Sequence, residues 1–360
     1  MTAFDTCIIG QGLAGATLAW VLHQQGQRVA VVDDNEPSSS SRIAAGLITP
    51  VTGKRFVKSD HFDKLVTTAI KFYQTIETET ETTFLNQQHS VRLFANKDER
   101  ELFLKKSLTH FPNAVQVLEK PINETFFETS NGGFEMKQAA RLNVPRYLDV
   151  SQKFFSEMNV FFESKIDIKK EIELTNNAVR IPKLGLTAER IIFCQGFSGS
   201  KNHWFQTVPF DAVKGEVLTV RIPQLNEPRV VHRGIWLAGI GNDLYRLGAT
   251  YDHEHLDLIP TPSGKEELCA RLAEFLRLPF EVINHQAAVR PVIVRRQPVI
   301  GFHSQFSQLG YFNGLGSKGS LQAPWYAQLF SKIICKKKEL PPEFDVAQYL
   351  NFQNKTKNHR

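Results

Sequence analysis

The pattern of apolar and polar positions divides the chain into short runs of two different periods. Residues 4–9 (FDTCII) form a short apolar run with β-branched residues, which predicts a buried strand. Residues 16–25 are apolar at helical spacing and stop at Gly26, and residues 28–32 (RVAVV) predict a second strand that closes on Asp33. The four serines at 38–41 make a polar, flexible connection. Residues 60–84 predict a long helix, with Phe62, Leu65, Val66, Ala69, Ile70 and Tyr73 on one stripe. Signals are mixed over 91–134, with short strands, a charged helix near 97–108 and an Asn131-Gly132-Gly133 turn. A helix follows at 147–157, then strands at 160–168, 179–181 and 190–194. Over 215–251 the segments GEVLTVRI, RGIWLAG and LYRLGATY alternate as in an antiparallel sheet. An amphipathic helix over 262–277 and an apolar helix over 321–334 complete the series.

The order of these elements predicts an α/β chain, α+β overall: a Rossmann-like nucleotide-binding domain interleaved with a second domain on a mixed or antiparallel β-sheet. The expected division places 1–84, 140–206 and 286–340 in the first domain and 85–139 with 207–285 in the second. Residues 341–360 are left as a C-terminal tail.

The chemistry of the first domain lies in Gly10-Gln11-Gly12-Leu13-Ala14-Gly15, set between strand and helix. Gly10 makes the tight turn, Gly12 lets backbone approach a pyrophosphate, and Gly15 lets the helix pack closely on the strand. The helix N-terminus offers unpaired N–H groups and the positive end of its dipole. Asp33, eighteen residues beyond Gly15, is placed to accept from ribose hydroxyls. Strand, glycine turn, helix, second strand and acid together predict a site for FAD or NAD(P).

Composition narrows the class. With 360 residues, 42% of them hydrophobic, the chain can bury a sizeable core across two domains. No apolar run is long enough to span a bilayer and the start is not a signal peptide, so a cytoplasmic enzyme is expected. Cys7, Cys194, Cys269 and Cys335 are far apart and form no CxxC pair, which predicts reduced thiols and no metal site. The net charge of +6 owes much to Lys336, Lys337, Lys338, Lys355, Lys357 and Arg360, a solvated tail that is also able to attract a polyanion.

Three further segments separate FAD from NAD(P). Ser40-Ser41-Arg42-Ile43-Ala44-Ala45-Gly46-Leu47 follows the acid-terminated strand, the strand at 190–194 runs into Gly196, and Asn313-Gly314-Leu315-Gly316-Ser317-Lys318-Gly319-Ser320 feeds a helix. With VKGEVLTV, LGATY, AVRPVIVRRQPVIG, GLGSKGSLQAP and FDVAQY, the chain resembles the D-amino-acid oxidase/glycine oxidase/sarcosine oxidase superfamily of FAD-dependent oxidoreductases over nearly its whole length. The GLGSKG loop is most similar to that of the oxidase domain of the bacterial enzyme that matures 5-methylaminomethyl-2-thiouridine in tRNA.

The resemblance implies FAD as the cofactor. Leu13, Ala14, Asp33, Asp34, Ser40, Ser41 and the neighbouring Arg42 would line the pyrophosphate and adenosine path, with Ile166 presenting its backbone to the adenine. Ala45, Gly46 and Leu47 would lie along the flavin ring, and Leu315, Gly316, Ser317, Lys318, Gly319, Ser320 and Leu321 would run past it. A helix N-terminus there, with Lys318, suits the negative charge that reduced flavin gathers. Arg290, in the Ala288-Val289-Arg290-Pro291 stretch, would bind a substrate carboxylate through its guanidinium fork, with Trp236 and Tyr251 lining the cavity. Two departures stand out. Ser317 replaces a polar or basic contact of relatives that act on small amino acids, and no cysteine after Arg290 is available to link the flavin, so FAD is expected to be non-covalent. His232, His253 and His255 are given no role.

The expected activity is oxidation of the C–N bond of a small amino acid or secondary amine, with O2 or another acceptor taking the electrons. Oxidation of an aminomethyl group on modified tRNA uridine and flavin binding without turnover are the alternatives.

Overall fold

The computed structural model describes residues 2–111, 113–118, 122–335 and 339–350. Lys336, Lys337, Lys338, Lys355, Lys357 and Arg360, the basic tail, lie outside the described residues. The first sheet runs in the order Phe161–Glu163, Val29–Asp33, Thr2–Ile9, Leu186–Phe193, all parallel. The far edge of Leu186–Phe193 is shared, Val179–Ile181 pairing antiparallel with its start and Leu309–Asn313 parallel with its end. Residues 7–9, 29–32 and 191–193, in three neighbouring strands, are buried apolar runs because both faces of the sheet are covered there. The helices Leu13–His23, Phe62–Thr80, Val144–Glu157 and Gly319–Ile334 pack on one face, and Phe205, Val208 and Val346 help cover the other.

The second sheet has eight strands, in the order Glu281–Arg290, Val213–Arg221, Leu244–Gly248, Ile235–Gly241, Val230–Arg233, Ser90–Leu93, Gly133–Met136, Val115–Val117. Every pairing is antiparallel except Val230–Arg233 with Ser90–Leu93. That one parallel pair joins two stretches of chain far apart in sequence. Strand Glu281–Arg290 runs unbroken across residue 286 and lies wholly in this sheet. Alternation gives the sheet one apolar face, Leu218, Val220, Val231, Leu237 and Leu247, which is packed against Leu268 and Leu272 of helix Pro262–Ala273.

Several elements differ from expectation at their ends, each for a local reason. Helix Leu13–His23 begins three residues early, with Gly12 as its N-cap. The long helix is shorter, Phe62–Thr80, because Glu81 turns left-handed and the Glu77 carboxylate accepts the amides of Phe84 and Leu85 at 2.6 Å. Only Phe161–Glu163 of 160–168 is strand, since the Asp167 side chain caps a short helix, Ile168–Glu171, by accepting the Lys169 amide. The serine connection holds a short helix, Ser40–Ile43, capped by Ser39.

Helix Gly319–Ile334 contains Pro324, which has no N–H to give the Ser320 carbonyl one turn earlier. The buried Tyr73 hydroxyl donates to that carbonyl at 3.0 Å and replaces the lost bond. Tyr73→Phe is therefore expected to leave the carbonyl unpaired and to cost about 1–3 kcal/mol. In a Pro324→Ala background the backbone N–H returns and the same change should cost less. Denaturant midpoints of the four variants at constant m check this; equal costs in both backgrounds would contradict the compensation.

Candidate functional site

A cavity of about 2000 Å³ opens between the two sheets. Apart from Gly15, every residue that the sequence singled out for cofactor or substrate lines it. Gly15 instead sits behind the glycine turn: a Cβ there would stand 1.8 Å from the Gly10 carbonyl oxygen and 3.2 Å from Cys194 Cβ. It seats the helix on the strands and leaves the contact surface to Gly10, Gln11, Gly12, Leu13 and Ala14.

At this end, the Asp33 carboxylate accepts the backbone N–H of Gln11 on one oxygen and that of Asn35, at 2.8 Å, on the other. Burial raises its pKa, and the two amide bonds oppose that rise. The Leu13 amide, in the first turn of its helix, donates to Ser41 Oγ at 3.0 Å, so a hydroxyl stands where an anion would be met. Arg42 pairs with Asp149 at 2.7 Å at the rim, and Asp34, Ser40, Gly196 and Ile166 line the same stretch.

The middle of the cavity is walled by Ala45, Gly46 and Leu47 on one side and by residues 315–321 on another. The helix beginning at Gly319 brings unpaired amides to the wall and has no acidic residue in its first turn. Lys318 Nζ donates to Ser59 Oγ at 2.8 Å; burial lowers its pKa, with Asp60 acting the other way. Behind the wall are two arginines that the sequence did not mark. Arg141 donates to the carbonyls of Ala45 (3.2 Å) and Gly239 (2.7 Å), and Arg246 to those of Ile43 (2.8 Å) and Ala44 (3.4 Å). Burial, with the charge of Arg141, brings the Arg246 pKa down to about 10. Among the described residues neither has a carboxylate partner, so together they hold the wall and add positive potential behind it.

At the far end, the Arg290 guanidinium contacts the Thr250 carbonyl at 3.2 and 3.3 Å and lies 4.6 Å from the Tyr251 ring. Among the described residues no acid pairs with it, and burial lowers its pKa. It lies flat on Gly215, where a Cβ would fall 2.0 Å from its Nη2 atom. Gly215 was missed in the sequence, yet an isolated glycine inside an alternating strand is the signal for such an approach. Tyr251 is 68% exposed at the mouth and so is not core. Trp236 packs across Gly248 and joins Val217, Ala249 and Ala288 as an apolar lining.

A glycine turn with its acid, a wall that includes a helix N-terminus and a guanidinium with no ion pair among the described residues thus line one cavity. The model of the FAD dependent oxidoreductase family matches residues 5–333. Among solved structures, the fold is shared with glycine oxidase from Bacillus cereus (20% identity, TM-score 0.80, covering 93% of this chain and 96% of that one). It is shared too with iminodiacetate oxidase from Chelativorans sp. (18% identity, TM-score 0.76, 95% and 98% covered). A tRNA 5-methylaminomethyl-2-thiouridine biosynthesis bifunctional protein from Marinobacter nauticus is 25% identical over 364 residues, 91% of this chain and 55% of its own length. Its counterpart from Idiomarina loihiensis is 28% identical over 155 residues, 41% of this chain and 25% of its own length. The chain therefore spans at most about half the length of the curated relatives it matches. Among the described residues, no helix is long and apolar enough to cross a membrane and no cluster of potential metal ligands occurs. The glycine turn, the acid at the end of the second strand and the family match converge: the chain belongs to the family of FAD-dependent oxidoreductases.

Proposed function

We propose that the chain oxidises the C–N bond of a small amino acid or secondary amine whose carboxylate is held by Arg290. The observation that carries this reading is a part-buried guanidinium in the cavity with no carboxylate partner among the described residues. A charge withdrawn from water in that way is costly unless a ligand completes it, and the guanidinium fork matches a carboxylate. Tyr251 stacks against the guanidinium and Gly215 gives it a flat floor, so its donors are fixed before substrate arrives.

In this reading the first-sheet segments within 1–84, 140–206 and 286–340 hold the cofactor, and the second sheet carries the substrate side. Gly10, Gly12, Leu13, Ala14, Ser40, Ser41 and Arg42 hold the pyrophosphate, Asp33 and Asp34 the ribose, and Ile166 the adenine. Ala45, Gly46, Leu47 and residues 315–321 flank the ring. Bound FAD supplies the acceptor for a hydride from the substrate carbon. Lys318, the Gly319 helix N-terminus and the two wall arginines stabilise negative charge at that end of the cavity, and the imine product hydrolyses in water. Cys194 lines the cavity, but burial pushes its thiol up, away from the thiolate that a covalent link would need.

A second reading, oxidation of an aminomethyl or carboxymethylaminomethyl group on modified tRNA uridine, is favoured by the named activity of the curated relatives. Arg290 would serve it as well if the group ends in a carboxylate.

The purified protein should be yellow and release its flavin on heating or in acid; colour that stays with the denatured chain would refute non-covalent binding. Arg290→Ala is expected to cost about 2–4 kcal/mol in kcat/KM, roughly thirty- to a thousandfold, at undiminished FAD content. Arg290→Lys should recover little, and Gly215→Ala, which displaces the fork, should lower kcat/KM about tenfold or more. Rapid flavin reduction under anaerobic conditions measures all three, and unaltered rates would give Arg290 a structural role. Lys318→Met should weaken sulfite binding to the flavin about tenfold, on the order of 1.4 kcal/mol, with Lys318→Arg closer to wild type. Spectral titration with sulfite reads this directly, and equal affinities would remove Lys318 from the electrostatics of the ring.

A further inference from the structure

Lys318 is the N-cap of helix Gly319–Ile334, where its charge adds to the positive end of the helix dipole. Ser, Thr, Asp or Asn is the usual residue at such a position, and no acid in the first turn offsets the lysine. Among the described residues its ammonium makes no ion pair, although the charge of Asp60 acts on it. Its hydrogen bond goes instead to Ser59 Oγ, at 2.8 Å.

Both groups line the cavity, but Ser59 is buried and Asp60 is exposed. The turn that separates them is fixed by its backbone. The Ser59 N–H donates to the Pro50 carbonyl at 3.2 Å, and the Ser59 carbonyl accepts the Phe62 amide at 3.1 Å. His61 completes the turn in the left-handed region (φ 53°), which a residue with a Cβ adopts at some cost. An ammonium offered a hydroxyl and a carboxylate gains more from the carboxylate. Here it lies on the hydroxyl. The choice matters, because a carboxylate partner would cancel the charge that Lys318 presents to the cavity.

We infer that Ser59 is a positioning residue for Lys318: its buried hydroxyl holds the ammonium inward, at the wall formed by residues 315–321, against the pull of Asp60 at the rim. This rests on the reading above in which Lys318 stabilises negative charge on bound FAD. Ser59 acts through Lys318 and not by contact with the ring. Without the hydroxyl, the ammonium turns to Asp60 and its charge is lost to the wall.

Spectral titration of the FAD-loaded protein with sulfite tests this, because sulfite binding leaves negative charge on the flavin. Ser59→Ala should weaken sulfite about tenfold, as Lys318→Met does, and Ser59→Thr, which keeps the hydroxyl, should stay within about threefold of wild type. Asp60→Asn should not weaken it. In the Asp60→Asn background Ser59→Ala should cost less than about threefold, and in the Lys318→Met background it should cost nothing further. Flavin content and the visible spectrum of each variant, taken before sulfite is added, report that the site has formed. An unaltered affinity in Ser59→Ala, with the loss in Lys318→Met intact, overturns the positioning role. A loss on Ser59→Ala that persists in the Lys318→Met background also overturns it, since it marks a general effect on the site. A loss that persists in full in the Asp60→Asn background overturns the competition between the two acceptors. If Lys318→Met itself leaves the affinity unaltered, the electrostatic reading of Lys318 falls and takes Ser59 with it.

Discussion

The structure depends first on how closely the helix Leu13–His23 approaches the strands beneath it. With a hydrogen in place of Cβ at Gly15, the helix rests on the Gly10 carbonyl and beside Cys194. One approach therefore fixes the glycine turn, the first helix and strand Leu186–Phe193 in mutual register. The Cys194 amide donates to the Ile9 carbonyl at 2.8 Å, and the Gly10 amide to Val32 at 2.8 Å, so three strand ends meet at one point. The proposed cofactor end of the cavity lies just outside those ends, at the carboxyl edge of a parallel sheet, where ligands generally meet backbone donors.

From this point the cavity is built by unlike means along its length. The glycine-turn end offers backbone amides and short hydroxyl side chains, with Arg42 tied to Asp149 at the rim. The middle and far end carry cations that make no ion pair among the described residues: Lys318, Arg141, Arg246 and Arg290. Burial lowers the pKa of each, the expected cost of removing a cation from water, which Asp60 offsets only in part at Lys318. A bound cofactor that gains negative charge and a substrate that brings a carboxylate would both offset that cost. On the reading proposed above, the chain stores positive potential where its ligands would be negative, and it keeps acids such as Glu99, Glu216 and Glu135 tied to other partners.

The substrate side shows how a sheet makes a site without a loop. Gly215 and Gly248 lie on the cavity face of neighbouring strands, and each supports one large side chain, Arg290 or Trp236. Flat glycine positions let planar groups lie against the sheet, where an alanine would push them off. Helix Pro262–Ala273 secures the opposite face, and Glu216 accepts the Thr261 amide and hydroxyl at its cap, fixing helix to strand.

The N-terminal unit was legible because its determinants are local: turn glycines, helical spacing and an acid at a set interval act over thirty residues. Period-two alternation likewise revealed the strands of 215–251, and the cavity lining from Ser40 to Leu47 and from Leu315 to Leu321 was marked by short motifs. The element ends were not legible, because side-chain caps at Ser39, Glu77 and Asp167 compete with periodicity and depend on where the chain turns. Pairing of Val230–Arg233 with Ser90–Leu93 joins residues well over a hundred positions apart, and no periodicity carries that information. The same holds for Gly215 under Arg290 and for Tyr73 at the carbonyl that Pro324 leaves free. The sequence by itself determined the cofactor fold and marked most of the residues that line its cavity. Only the tertiary structure decided which distant side chains share a face, because that depends on strand register and close packing between segments that never meet along the chain.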